Sequence, residues 1–125
     1  MTKKTRGLLI ALSIFALVFM VTYPYTRPYL TVRDPESRWF RPENFRFENY
    51  PRSGDRYYQA GVDKMFPKGT PRAYVEKILV DRAGAWVSPG QNRTVAYHRR
   101  NNALFGWVVI VQYDTDEKVI EAWAH

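Results

Sequence analysis

Apolar and polar positions divide this chain into three regimes. Residues 7–23 are apolar almost without a break and carry no charge. As a helix, these 17 residues would span about 26 Å, close to the hydrocarbon thickness of a thin bilayer. Ten of them are Leu, Ile, Phe or Val, which together favour insertion by roughly 3–6 kcal/mol. Leu8, Leu12, Phe15, Phe19 and Tyr23 are the anchor residues. Ser13 and Thr22 can bond back to helix carbonyls, Tyr23 and Tyr25 stand where an interfacial aromatic belt belongs, and Pro24 is expected to end the helix. Lys3, Lys4 and Arg6 would also suit the charged start of a signal peptide, and an apolar helix can be a core helix. The first alternative lacks a small-x-small cleavage site in residues 21–26, and the second requires a larger protein around it. The tight basic cluster before the helix predicts a cytoplasmic N-terminus and a translocated C-terminal part. In a bacterium this means the inner membrane with a periplasmic domain.

The second regime, residues 26–54, reads as an extended linker behind an anchor of residues 1–25. Five of the eight prolines lie between residues 24 and 52, which argues against a regular helix or a central strand. Aromatic and arginine residues interleave here: Tyr29, Arg38, Trp39, Phe40, Arg41, Phe45 and Phe47 among them. A disordered linker is poor in such rings, so these need cover. They can pack on the chain's own domain or in the lipid interface, bind a protein partner as hot-spot residues, or stack on single-stranded nucleic acid.

The third regime, residues 55–125, has regular periods. Tyr58, Val62, Met65 and Phe66 share one face of a helix predicted over residues 55–66, although Gly61 weakens it. A second helix starts with Thr70 as N-cap and Pro71 at its first position, carries Val75, Ile78 and Leu79 as its apolar stripe, and closes at Gly84. The period then becomes two. Residues 94–100, 104–113 and 118–124 read as strands joined by turns at Asn101-Asn102 and residues 114–117. The middle strand is apolar on both faces and is expected at the centre. The expected fold is therefore α+β: a transmembrane helix, a strap, then two helices packed on a three-stranded antiparallel meander.

Composition narrows the chemistry. Cysteine is absent, which excludes disulfides, thiolate metal sites, a thiol nucleophile and a lipid-modified cysteine. His98 and His125 are isolated in sequence, and the acidic run 114–117 lacks the length and glycine of a calcium loop. No nucleophile–base pair or phosphate-binding glycine loop can be assembled, so neither an enzyme nor a cofactor is expected. The net charge is +7, of which residues 26–125 supply +4, from 16 basic and 12 acidic groups. Arginine outnumbers lysine 12 to 4 in that part, and Arg93, Arg99 and Arg100 form a local basic patch. Arginine's planar fork favours protein contacts over simple electrostatic adhesion.

Residues 68–79 (Lys-Gly-Thr-Pro-Arg-Ala-Tyr-Val-Glu-Lys-Ile-Leu) and 109–119 (Val-Ile-Val-Gln-Tyr-Asp-Thr-Asp-Glu-Lys-Val) resemble the helix start and the strand–acidic turn–strand signature of the BamE-like (SmpA/OmlA) domain of small envelope proteins. The resemblance covers about residues 55–125. It implies a non-catalytic module that docks on larger envelope assemblies. Members are often lipoproteins, whereas this chain has an apolar helix in place of the cysteine; Glu117 also stands where a turn glycine is usual. The functional expectation is an accessory or assembly subunit of a larger membrane complex. Its partner-binding residues would be Tyr29, Arg38, Trp39, Phe40, Arg41, Phe45, Phe47, Arg99 and Arg100. The alternative is a cytoplasmic, membrane-tethered basic module for anionic lipid or nucleic acid; the lipid bilayer is a partner in both, and nucleic acid is not the favoured one.

Overall fold

The computed structural model describes residues 2–30, 32–50, 54–100 and 106–125, with the side chains of 23–30 outside that description. Helix α1 spans Lys3–Leu30. Its segment Lys3–Thr22, with mean hydropathy 2.0, is long and apolar enough to cross a membrane. Ser13 and Thr22 donate to the carbonyls of Leu9 and Val18 at 2.9 and 2.8 Å, which removes their hydroxyls from the apolar surface. Leu8, Leu12, Phe15 and Phe19 are exposed along it, while the side chain of Tyr23 falls outside the described residues. Contrary to expectation, Pro24 does not end the helix. Proline's fixed φ is helical, so Pro24 and Pro28 each forgo one ladder bond and the backbone continues to Leu30.

Beyond α1 the fold is α+β with a four-stranded antiparallel sheet in the order β1-β2-β3-β4. The strands are β1 (Trp86–Pro89), β2 (Thr94–Arg100), β3 (Gly106–Tyr113) and β4 (Val119–Ala124). The predicted meander is present, with one strand more than expected. β1 has no apolar alternation of its own and is exposed throughout; it exists because β2 pairs with it from Trp86↔His98 to Pro89↔Val95. β3 is central as expected, but only Trp107, Val109, Val111 and Tyr113 are buried, so the other face of the sheet is open. The turn proposed at Asn101-Asn102 lies outside the described residues.

Helix α2 (Arg56–Met65) begins where the Asp55 carboxylate accepts from the Tyr57 amide at 2.8 Å. Its buried face is Tyr58, Gly61, Val62 and Met65, followed by Phe66. Helix α3 (Arg72–Glu76) runs on as a π-helical segment, Lys77–Arg82, and Gly84 leaves it at φ +77°. The stripe Val75, Ile78 and Leu79 is buried as predicted. The expected Thr70 cap is not made. The Thr70 hydroxyl donates to the Pro67 carbonyl at 2.6 Å, and Pro71 occupies the cap position. The reason is tertiary: Arg72 N donates to Glu117 O, and Val119 N to Thr70 O, so the helix start is stitched to the β3–β4 hairpin.

Residues 40–50 are part of this core rather than a linker. Phe45, Phe47 and Tyr50 are at most 2% exposed and Phe40 is 9% exposed. Two short 3-10 turns, Pro42–Asn44 and Phe47–Asn49, fold the segment so that its rings face α2. Tyr50 stacks on Tyr58 with centroids 5.2 Å apart, and Phe45 meets Phe47 edge-on at 5.2 Å. Gly61 permits this, since a β-carbon there would come to 3.0 Å from the Tyr50 hydroxyl. The segment is also tied to the sheet: Trp107 Nε1 donates to Tyr50 O at 3.3 Å, and Arg99 pairs with Glu48 at 2.8 Å.

Replacing Phe47 by Ala should therefore cost about 3–5 kcal/mol, as for a fully buried core ring. Urea unfolding of the full chain in mild detergent, followed by near-ultraviolet circular dichroism, measures it. A loss below about 1 kcal/mol would mean that the segment is a removable strap.

Candidate interaction surface

The residues expected to bind a partner separate into three groups. Phe40, Phe45 and Phe47 are core residues and offer no side-chain surface. Burial against α2 competes directly with contact to a partner, and the domain's own core wins. Arg99 is likewise held, donating from Nε to Glu48 and from Nη1 to the Gly84 carbonyl at 3.3 Å. Arg38, Trp39, Arg41 and Arg100 remain at the surface, and the side chain of Tyr29 lies outside the described residues.

Arg38, Trp39 and Arg41 form one corner. Trp39 is 63% exposed, and the Arg38 guanidinium lies 4.8 Å from its ring centroid. Arg41 Nη1 donates to the carbonyls of Arg38 and Phe40, both at 2.9 Å, which fixes the guanidinium against the turn.

The second surface is the open face of the sheet. Strand registers align Trp86, His98 and Val108 in one row, and paired amide bonds between Val108 and His125 extend the row to the chain's last residue. The neighbouring row is Ser88, Ala96, Ile110 and Trp123. Trp86 stacks on His98 at 5.6 Å and an interplanar angle of 20°. A shallow cavity of about 280 Å³ is lined by Trp86, His98, Arg100, Trp107 and His125 among others. The two histidines, remote in sequence, thus share one row with a strand between them. Among the described residues no group of three or more His, Cys, Asp or Glu is placed to hold a metal ion.

A buried phenol cluster on the opposite face is the most chemically structured part of the molecule. Tyr97 donates to Glu76 at 2.8 Å, and its oxygen lies 2.7 Å from the Tyr113 hydroxyl. Arg72 bonds Glu76 at 3.1 Å and Glu117 at 3.0 Å while lying 5.3 Å from the Tyr113 ring centroid. Burial, then the neighbouring Tyr113 hydroxyl and Glu76, pushes the Tyr97 hydroxyl well above its ordinary range; burial raises Tyr113 to about 12. Both phenols are protonated at neutral pH and so are poor general bases. Their arrangement joins α3 to β2 and β3. No protein-family model, curated protein or solved structure matches the chain.

The buried phenols give a pH dependence with a definite sign. Tyr50 and Tyr113 are each raised to about 12 in the folded state, with burial the largest cause in both, whereas unfolded phenols ionise near 10. Their contribution to stability is complete below pH 10 and is lost as pH rises from about 10 through 12. Phenolate absorbance should therefore lag behind that of free tyrosine and then rise together with unfolding. Titration of all tyrosines near pH 10 with the fold intact would contradict this.

Proposed function

We propose that this chain is a single-pass membrane protein whose domain acts as a non-catalytic accessory or assembly subunit of a larger membrane complex. The observation that carries the proposal is the uncovered sheet face, with Trp86 and Trp123 at its two edges and Val108 and Ile110 between them. Large aromatic rings held rigidly beside half-buried aliphatic residues form the usual centre of a protein interface. Arg100 adds a planar donor at the rim of this face. The apolar helix α1 supports the membrane location, and Lys3, Lys4 and Arg6 support a cytoplasmic N-terminus with the domain translocated, periplasmic in a bacterium. The BamE-like reading of residues 55–125 rests on the sequence resemblance of residues 68–79 and 109–119.

Two measurements test it. A reporter fused after His125 should be active only on the translocated side; activity only in the cytoplasm would reverse the topology. The chain, recovered from mild-detergent membranes through a C-terminal tag, should migrate on a native gel as a discrete high-mass species with stoichiometric partners. The Trp86→Ala/Trp123→Ala double variant should lose those partners while its stability changes by no more than about 1 kcal/mol. A lone small species from the unaltered chain would overturn the proposal.

A further inference from the structure

On the open face of the sheet, the strand registers set side chains of different size in neighbouring rows. From β1 to β4 the first row reads Trp86, His98, Val108 and His125, and the next reads Ser88, Ala96, Ile110 and Trp123. On β1 and β2 the first row is bulky and the second small. On β3 and β4 the order reverses, with Ile110 larger than Val108 and Trp123 larger than His125. Trp86 is 52% exposed and stacks on His98, so the two rings form one wall beside the low ground of Ser88 and Ala96. The cavity of about 280 Å³ opens over Val108, between His98 and His125. The face is therefore stepped. A half-turn about an axis that runs across the strands, between these two rows, turns the step into its own complement.

Under that half-turn a second copy lies face to face, each strand over its own counterpart and running the opposite way. Trp86 then comes over the second copy's Ser88, and His98 over its Ala96. Val108 meets its Ile110, which enters the cavity between His98 and His125, and the His125 ring meets its Trp123. One row further out, Arg100 meets Thr94, so no facing pair joins like charges. A two-fold axis along the strands fails on both counts: it sets Trp86 against His125 and brings both copies' Arg100 to the same end. We propose that the open sheet face is covered by a second copy of this chain in the cross-strand two-fold arrangement. This rests on the reading of that face as an interface and names its occupant; the larger complex then takes up the chain as a pair.

Four strands about 4.8 Å apart and a seven-residue β2 rising about 3.4 Å per residue give a face of roughly 450 Å², or about 900 Å² for two copies. That is below the roughly 1,200 Å² of a stable soluble dimer, so the pair is weak in free solution. Two chains held in one bilayer by α1 meet at a far higher effective concentration, which compensates for the small area. Symmetry adds one requirement. Both anchors enter the bilayer from the same side only if the two-fold axis stands along the membrane normal, which lays the strands parallel to the membrane plane.

Because cysteine is absent, single introduced cysteines report the pairing in intact membranes. With the two sheets about 10 Å apart, Ala96→Cys in each copy comes within reach of a short bismaleimide. The full chain with Ala96→Cys, treated before any detergent is added, should run at twice the chain mass. The yield should be several-fold above that of Lys64→Cys, which is exposed on α2. Adding Ser88→Trp should cut the product about tenfold, because an indole then faces an indole. Adding Trp86→Ser instead should cut it several-fold. Both changes together invert the step in the two copies at once, and should return the product to within about twofold of its starting level. β1 is exposed throughout, and circular dichroism checks the fold of each variant. Should Ser88→Trp fail to fold, the comparison of Ala96→Cys with Lys64→Cys still decides whether a pair forms. Equal cross-linking at both positions would mean crowding and overturn the pair; additive losses in the combined variant would overturn the two-fold arrangement. A chain that recovers other proteins stoichiometrically but gives no Ala96→Cys product overturns the pair alone and leaves the face to a different protein. A cross-linked pair with no other protein overturns the accessory reading alone.

Discussion

Where Gly61 faces Tyr50, the absence of a β-carbon lets a whole segment of chain lie down on α2. Tyr50 then stacks on Tyr58, its carbonyl receives the Trp107 indole, and Phe45 and Phe47 follow it into the core. Through these contacts, residues that precede the helices and strands supply a large share of the apolar burial. A unit of about 70 residues without disulfides or metal is marginal when it must build its core from its own elements. Here the rings arrive from upstream, and Glu48 and Asp55 fasten the segment at Arg99 and Arg33. A β-carbon at position 61 would stand 3.0 Å from the Tyr50 hydroxyl, so the Tyr50 ring would have to give by a few tenths of an ångström.

A second closure works at the other end of the domain. Glu117 takes φ +60°, a left-handed conformation that costs a β-carbon some strain, and in doing so turns the β3–β4 hairpin. Its carbonyl accepts from Arg72 N and its carboxylate from the Arg72 guanidinium. A glycine would make the turn more cheaply, but it would not provide the carboxylate. The same Arg72 reaches Glu76, whose oxygen serves Tyr97, so the turn, the start of α3 and the buried phenols form one connected set.

Much of this was legible in the residues. The period of 3.6 in residues 58–66 and 75–79 and the period of two after residue 94 mark elements whose buried faces follow local pattern. The features that escaped depend on distant contacts. Trp86-Val-Ser-Pro has no alternation because both its faces are exposed, and only the register with β2 makes it a strand. Thr70-Pro71 is a good local start for a helix, yet the hairpin claims its amides and carbonyls. The rings of residues 40–50 announced that they needed cover. Their destination depended on Gly61, which from sequence alone counted only against a helix. Arg99 looked like a free surface cation because Glu48, far along the chain, could not be seen beside it. The buried, unpartnered Oδ1 of Asn49 had no sequence signature, since an orphaned acceptor exists only once its surroundings are built.

The amide of Gln59 has a consequence for the manner of association. Its Nε2 donates to the Ala122 carbonyl and its Oε1 accepts from the Ala124 amide, at 3.2 and 2.8 Å. A single side chain thereby imitates a neighbouring strand and occupies two of the backbone groups, Ala122 O and Ala124 N, that β4 would offer to an incoming chain. At the opposite border, β1 is only four residues long and ends in Pro89, which has no amide hydrogen to give. Growth of the sheet by strand addition is therefore discouraged on both sides. A partner of the kind proposed would then meet the sheet broadside, with recognition by side-chain shape and ring stacking in place of a shared backbone ladder.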